Sequence, residues 1–242
     1  MRPIASLLIS SLAMLLLAAS AQAEPTVPRP FSATYAVSFR GIGAGTITFD
    51  FARDPASGRY IYETHASPST LARLFVSKAA MERSVMEIDD SGTRPLEWKL
   101  DDGTSGNEKD GELHFDWPRT RVSGVIEGKP VDLPAEPGTQ DRSSISIAVT
   151  TALLRGVEPG TIPLVDDNRV KRYVYTRKEN ATVDSALGKI DTVIYESTRE
   201  GGSSRTSRFW MAPSLEFLPV RAEQVRKGKV ETVMVLQKLE HH

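Results

Sequence analysis

Residues 139–156, TQDRSSISIAVTTALLRG, decide the fold, because they form the only segment after the N-terminal apolar run with the pattern of a full-length helix. Asp141 is a suitable N-cap, since its carboxylate can accept a hydrogen bond from a free amide of the first turn. Gly156 follows the last apolar residues and provides a left-handed C-cap, and Pro159 prevents the helix from continuing. The sequence therefore predicts one helix at about residues 141–155.

This helix has a wide apolar surface. Its apolar residues recur at three- and four-residue steps and are Ile145, Ala148, Val149, Ala152 and Leu153, with Ile147 and Leu154 widening the surface. A single helix with so much apolar surface is expected to be buried on more than one side. A curved sheet is the natural partner, because it can surround the helix.

Most of the remaining chain alternates apolar and polar residues, as strands do. Clear examples are residues 31–39, 47–51, 113–117 and 218–225. Turn residues separate such segments at intervals of about eight to twelve residues, which is typical of consecutive antiparallel strands. The sequence therefore predicts a mainly β fold of about twelve strands. We expect a curved antiparallel sheet, as a barrel, half-barrel or spiral roll, wrapped around one central α-helix.

Residues 1–23 have the three parts of a secretory signal peptide. They are positive charge at Arg2, an apolar run over residues 4–19, and small residues at Ala21 and Ala23. We expect cleavage before Glu24, which leaves residues 24–242 as a single β-roll domain. The alternative is an uncleaved anchor, but the apolar run is short for a bilayer span. The expected location is therefore the periplasm, with no integral membrane span after cleavage.

The composition excludes several classes of protein. The chain has 30 basic and 31 acidic residues, a formal net charge of −1, so no broad basic surface is expected for nucleic acid. The absence of cysteine excludes disulfides, thiolate metal sites, a cysteine nucleophile and a lipid-modified N-terminal cysteine. Hydrophobic residues make up 40% of the chain, which is enough for a packed core that stabilises the fold without covalent links.

Several short motifs carry a resemblance to a known family. They are Tyr35…Gly41…Gly45, PGTQDRSS at 137–144, ALGKI at 186–190, FWMAP at 209–213, LPVR at 218–221, and a final strand ending at 236–239. Over most of its length the chain resembles domain of unknown function 3108, a family of exported bacterial proteins. The resemblance implies a β-rich, envelope-associated protein with no established catalytic residues. By analogy of fold alone, the architecture would be similar to the helix-filled sheets of lipoprotein-carrier proteins and β-spiral envelope-integrity proteins.

The polar residues at the start of the helix have two interpretations. Asp141 and Arg142 would either present a charged pair to a ligand, beside a serine, or cap the helix and form an ion pair. Capping is the simpler interpretation, because Asp and Ser are what a helix N-terminus requires. A serine hydrolase also needs a base and an oxyanion hole, and neither His65 nor His114 has a recognisable partner pattern. We assign no catalytic residue, and a hydrolase that uses Asp141, Arg142 or His114 is the weakest hypothesis.

The sequence predicts no metal site and no cofactor. The histidines are scattered and have no paired spacing for zinc. The segments at 101–103 and 166–168 lack the spaced ligands of a calcium loop, and turns explain both, because Asp and Asn favour turns. His241 and His242 are excluded because they resemble the start of an expression tag.

A ligand is expected on the concave face of the sheet, where aromatic and aliphatic side chains would form an apolar wall. The candidate ligand-binding residues are Tyr35, Tyr62, Leu71, Leu74, Phe75, Trp98, Asp141 and Arg142. The alternative is that these aromatic residues belong to the core. The leading hypothesis is a non-enzymatic periplasmic protein that supports the cell envelope and binds a lipid, another envelope-derived ligand or an envelope protein partner. The alternative is a purely structural scaffolding protein.

Overall fold

The computed structural model describes residues 26–69, 80–104, 106 and 108–242. Within these residues, fourteen strands form a single sheet, and one α-helix, α1 (Ser144–Leu154), packs against it. A 3₁₀ turn spans Pro213–Leu215. In chain order the strands are β1 (Phe31–Phe39), β2 (Ile42–Arg53), β3 (Tyr60–Pro68), β4 (Met81–Asp89), β5 (Gly92–Asp101), β6 (Gly111–Asp116), β7 (Arg121–Ile126), β8 (Lys129–Pro134), β9 (Thr161–Asp166), β10 (Arg169–Ser185), β11 (Gly188–Arg199), β12 (Arg205–Ala212), β13 (Leu218–Arg226) and β14 (Lys229–His241).

The sheet is built from consecutive hairpins. Its order is β8-β7-β6-β5-β4-β3-β2-β1-β14-β13-β12-β11-β10-β9, and the neighbouring strands are antiparallel. The predicted mainly β, antiparallel architecture around one helix is confirmed, with fourteen strands in place of about twelve. β1 pairs with β14 in the middle of the sheet, so the edges are β8 and β9. In the part of the chain described, no ladder joins these edges, and the sheet is open.

The segment between β8 and α1 meets the edge strand β9 at a short seam, which we define as Gln140 and the residues of β9 that pair with it. The amide of Gln140 donates to the carbonyl of Pro163 at 2.8 Å, and the amide of Val165 donates to the carbonyl of Gln140 at 2.9 Å. Val165 also packs in one buried cluster with Val131 and Ala135, next to the opposite edge. A single backbone bridge and apolar packing therefore replace a ladder at the seam.

The ends of α1 are fixed by the residues that the sequence singled out. One carboxylate oxygen of Asp141 accepts hydrogen bonds from the amides of Ser143 and Ser144, each at 2.8 Å. Because this bonding holds a turn ahead of the helix, α1 begins at Ser144 and not at the predicted position 141. Gly156 has a φ of +68°, and its amide and the next one donate to the carbonyls of Leu153 and Ala152 at 3.0 and 2.9 Å. This pair of backbone hydrogen bonds is a Schellman motif.

The helix is buried on two sides. Ile145, Val149 and Leu153 pack in a cluster with residues of β9 to β12, including Tyr195. Ile147 packs in another cluster with residues of β1 to β4 and β10 to β14. The expected burial of the helix on more than one side is therefore confirmed.

The buried surface of α1 differs in detail from the predicted stripe. Ala148 and Ala152 are half-buried, whereas Thr150 and Thr151 are buried. The apolar stripe therefore predicts too much burial for the two alanines and does not predict the burial of the two threonines. The reason is that the sheet encloses the helix from more directions than one stripe defines. Nowhere in the described residues does a helix have the length and apolar content required to cross a bilayer.

A glycine sets how closely β2 and β3 approach. The register of β1 against β2 shifts between Val37 and Ser38, whose partners are Gly45 and Gly43. Gly45 has a φ of +135°, and a Cβ at this position would lie 2.2 Å from the carbonyl oxygen of Ser67 in β3. Only glycine therefore fits this irregular point of β2.

Candidate ligand-binding site

A cavity of about 220 Å³ lies between α1 and the concave face of the sheet. The first part of the sheet contributes Tyr35 from β1, Phe49 from β2 and Tyr62 from β3. These side chains meet because alternate residues of each strand point to the same face of the sheet. The rings of Phe49 and Tyr62 stack at 5.8 Å between centroids, and Tyr35 meets Phe49 edge to face at 5.4 Å.

The second part of the sheet forms the opposite wall. It contributes Tyr175 from β10, Phe209 from β12, Ala222 from β13 and Met234 from β14. The rings of Tyr175 and Phe209 stack at 6.2 Å between centroids. Ala222 faces Phe209 across one ladder and Met234 across the other, so its small side chain leaves space that its neighbours do not fill.

The tyrosines of the cavity are neutral. The hydroxyl of Tyr35 donates to the carbonyl of Pro219 at 2.7 Å, and burial raises the pKa of Tyr35 well above its ordinary value. Burial, together with the charges of Glu82 and Asp50, raises the pKa of Tyr62 as well. Burial also raises the pKa of Tyr175 to about 12. The walls therefore suit an uncharged, mainly apolar group.

The helix supplies the remaining side of the cavity. Ile147 and Val149 are buried and apolar, and Thr150 is buried and carries a hydroxyl. Ser146 also lines the cavity and is exposed, so solvent reaches the cavity at this point.

Two of the predicted ligand-binding residues, Tyr35 and Tyr62, line this cavity. Three others lie away from it, around the start of α1. Trp98 is 1% exposed, and its indole N–H donates to Glu82 at 2.6 Å. The guanidinium of Arg142 lies 5.7 Å from the centre of the Trp98 ring. Asp141 is fully buried.

Within this second group, Asp141 and Arg142 already interact with other side chains of the protein. The hydroxyl of Ser84 donates to Asp141 at 2.7 Å, and Arg142 forms ion pairs with Asp166 at 3.1 Å and Asp167 at 3.5 Å. Burial raises the pKa of Asp141 to about 6, although the hydrogen bonds that it accepts lower that pKa. The group fastens the beginning of the helix to β4, β5 and the β9–β10 turn.

The last three predicted residues, Leu71, Leu74 and Phe75, lie outside the described residues. The cavity is also lined by Phe49, Phe209, Ala222 and Met234, which are not among the predicted ligand-binding residues. A signal was present for Phe49 and Phe209, since both lie on alternating apolar faces. The strand pairing that brings them to one cavity is not visible in the sequence.

An acidic group in the β5–β6 loop is explained by the loop itself. The carboxylates of Asp101, Asp102 and Asp110 have oxygen atoms within 4.8 Å of one another. Each accepts a hydrogen bond from a loop amide, from Gly103, Thr104 and Asp102 respectively, at 2.8 to 3.0 Å. Backbone bonding of this kind is why Asp favours turns, and we assign no metal to the group.

Comparison with solved structures shows the fold. A β-barrel-like protein of domain of unknown function DUF1849 from Brucella abortus is similar with a TM-score of 0.56 and 13% identity, covering 89% of this chain and 99% of its own. A "putative lipoprotein" from Parabacteroides distasonis has a TM-score of 0.39 and 9% identity, covering 89% and 98%. A "putative exported protein" with a YmcC-like fold from Bacteroides fragilis has a TM-score of 0.34 and 10% identity, covering 88% and 98%.

Sequence comparison adds the family. The curated proteins include no match to this chain. The family described as "Protein of unknown function (DUF3108)" matches residues 34–235, which contain β2 to β13 and the helix in full and parts of β1 and β14. The chain belongs to the DUF3108 family.

Proposed function

We propose that this protein is exported to the periplasm and holds a slender apolar group, such as part of an acyl chain, in the cavity beneath α1. The observation that carries the proposal is the cavity of about 220 Å³, lined by neutral aromatic and aliphatic side chains and reached by solvent at Ser146. Apolar concave sites with few polar groups are the usual form of ligand pockets. Export is supported by the signal-peptide pattern of residues 1–23.

The size of the cavity limits the ligand. An apolar cavity of about 150 Å³ accepts benzene, and drug-sized ligands occupy about 300 Å³ or more. At about 220 Å³, this cavity lies between these two sizes. A single hydrocarbon chain fits such a space in part, with the rest of the ligand outside. A bulky or charged group does not suit it, because the polar side chains of the lining carry only neutral hydroxyl groups, on Ser146, Thr150 and three tyrosines.

The protein is proposed to bind this group without transforming it. The residues best suited to chemistry are engaged elsewhere: Asp141 caps the helix, Arg142 pairs with two acids, and His114 bonds to Glu112 at 2.7 Å on the surface. None of the three lines the cavity. Such a protein would support the envelope by sequestering or carrying an apolar component.

Filling the cavity tests the proposal. Ala222→Phe places a ring between Phe209 and Met234, so the affinity for an apolar probe should fall by at least about tenfold. The loss of about 55 Å² of buried apolar area is enough to weaken binding by that factor. The measurement is displacement of N-phenyl-1-naphthylamine fluorescence by fatty acids and phospholipids. Native mass spectrometry of protein purified from periplasmic extract should show bound lipid in the wild type and less in the variant.

The matched control is Ala36→Phe, on the opposite face of β1 from Tyr35. It adds the same ring to the same sheet and should leave probe binding unchanged. Equal binding by wild type and Ala222→Phe, with both folded by circular dichroism, would contradict the proposal. A protein that carries no lipid and takes up no probe would contradict it too, and would favour the scaffolding hypothesis.

A further inference from the structure

Three hairpin tips lie side by side at one end of the sheet. They are residues 39–42 of β1–β2, 226–230 of β13–β14 and 199–205 of β11–β12, and we call them together the basic rim. Hydrogen bonds join them: the amide of Arg40 donates to the carbonyl of Glu231 at 2.7 Å, and the amide of Lys227 donates to that of Ser204 at 2.8 Å. The three tips therefore form one continuous surface.

The basic rim carries an excess of positive charge on a chain that is nearly neutral overall. Its basic residues are Arg40, Arg199, Arg205, Arg226, Lys227 and Lys229, and the acids among them are Glu200 and the adjoining Glu231. Arg40 pairs with Glu231 at 2.7 Å, whereas Arg205, Arg226, Lys227 and Lys229 form no ion pair with any described residue. The hydrogen bond from Arg40 lowers the pKa of Glu231, and the charges of Arg226 and Arg205 contribute to that lowering.

The basic rim also exposes apolar side chains. Ile42 is 66% exposed, Phe39 47% and Val230 43%. The guanidinium of Arg40 lies 5.0 Å from the centre of the Phe39 ring. Phe39 is on the same face of β1 as Tyr35, four residues away, so the concave face continues from the cavity to the rim. Apolar residues at projecting tips, next to cations of which most form no ion pair, are typical of surfaces that enter the headgroup layer of a membrane.

We propose that the basic rim docks the protein on an anionic lipid bilayer, with Phe39 and Ile42 entering the headgroup layer and the surrounding cations facing lipid phosphates. The tips are hairpin turns at the end of the sheet, so they suit a deformable lipid surface better than a preformed protein groove. Charge also sets the orientation, because Asp101, Asp102 and Asp110 lie at the same end of the sheet on its other arm. These acids would be repelled, so the protein tilts onto β1, β14 and β13. Docking does not depend on what the cavity binds.

Vesicle co-sedimentation tests the charge requirement. The wild type should bind vesicles of phosphatidylglycerol mixed with phosphatidylcholine, bind pure phosphatidylcholine much less, and dissociate in about 1 M salt, where charges are screened within about 3 Å. Arg226→Glu/Lys229→Glu should weaken binding to the anionic vesicles by at least about tenfold. The matched control, Arg59→Glu/Lys189→Glu, reverses two exposed charges on hairpins at the opposite end and should bind as the wild type does.

A fluorescent label tests which surface meets the lipid. Because the chain has no cysteine, Ile42→Cys creates a single labelling site for an environment-sensitive dye. Its emission should shift to the blue on anionic vesicles, whereas the dye on Leu187→Cys, 45% exposed at the opposite end, should not respond. Equal responses at the two sites, no binding to anionic vesicles, or equal losses in the rim and control charge variants would overturn the proposal. The cavity variant Ala222→Phe should dock normally, which separates this test from that of ligand binding.

Discussion

At the scale of single residues, Asp141 does more than cap a helix. Its carboxylate accepts two backbone amides and the Ser84 hydroxyl, and it is fully buried. Burial still outweighs these bonds, because the pKa of Asp141 rises to about 6. The residue that joins the helix to β4 is therefore sensitive to pH near neutrality. Arg142 does not offset this burial, since its ion pairs are with Asp166 and Asp167.

The pH dependence of stability should report this burial. A raised pKa means that the folded state binds more protons than the unfolded state between the ordinary value of 3.8 and about 6. The stability from protonated Asp141 is therefore complete below this window and is lost as the pH rises through it, by ~3 kcal/mol. Asp141→Asn keeps an acceptor for the amides and lacks the titration. Relative to wild type, its free energy of unfolding in urea should increase by that amount from about pH 4 to pH 7.

Asp89→Asn is the control of opposite sign. The hydroxyl and amide of Ser91 lower the pKa of Asp89, so its charge stabilises the fold above the unfolded pKa, and this contribution is lost as the pH falls. This variant should lose stability relative to the wild type as the pH rises. Parallel pH profiles for the two variants would mean that Asp141 is not a buried acid.

At the scale of elements, local chemistry predicted the helix well and the strand pairing less well. Asp141 holds the turn that precedes α1 and Gly156 ends it, so both lie close to the predicted ends because such bonding is local, and alternation located most strands for the same reason. Bulges, in contrast, depend on two strands at once. The close spacing of the glycines at 41, 43 and 45 is typical of a turn, yet the structure turns at residues 40 and 41 and places Gly43 and Gly45 within β2.

Gly43 and Gly45 give a matched test of the β2–β3 contact. At Gly45 a Cβ would lie 2.2 Å from the carbonyl oxygen of Ser67, and φ is positive, so Gly45→Ala should destabilise the fold by ~3 kcal/mol or more. At Gly43 nothing lies within 4 Å of such a Cβ, so Gly43→Ala should change stability by less than ~1 kcal/mol. Urea denaturation measures both. Similar losses at the two positions would show that β3 does not approach at Gly45.

In the candidate site, too, local sequence patterns identify some residues, whereas contacts between distant strands are not visible in the sequence. Tyr35 and Tyr62 were selected from strand alternation, and both line the cavity. Trp98 has the same kind of pattern but belongs to a separate buried cluster under β5 to β8. The sequence does not distinguish the two cases, because the difference arises from which strands face each other across the cavity. Ala222 was missed because a small side chain gives no apolar signal of its own.

At the scale of the whole molecule, the seam is where the sheet is weakest. One backbone bridge at Gln140 replaces the ladder that a closed barrel would have. The edge strands β8 and β9 contain Pro130, Pro134 and Pro163, which lack an N–H and so limit pairing with another chain. These prolines therefore disfavour edge-to-edge association of an open sheet.

Hydrogen exchange should reveal this weakness. The amides of Gln140 and Val165 are expected to exchange at least about tenfold faster than that of Tyr35 in the centre of the sheet, because local opening needs less free energy where few bonds must break. Gln140→Ala removes a side-chain amide that donates to the carbonyl of Thr93 at 2.8 Å, so it should accelerate exchange at Val165 and leave Tyr35 unaffected. Equal protection at seam and centre, measured by nuclear magnetic resonance, would indicate an effectively closed barrel.

The pairing of β1 with β14 has a consequence for how the molecule assembles. Among the described strands, every other ladder joins neighbours in sequence, whereas this one joins residues about 200 positions apart in the chain, such as Phe31 and His241. Closing so long a loop is slow, because its entropy must be lost before any contact forms. β14 is synthesised after the other described strands, so one edge of β1 stays unpaired until then. Completion of the described sheet therefore depends on β14, a strand of thirteen residues.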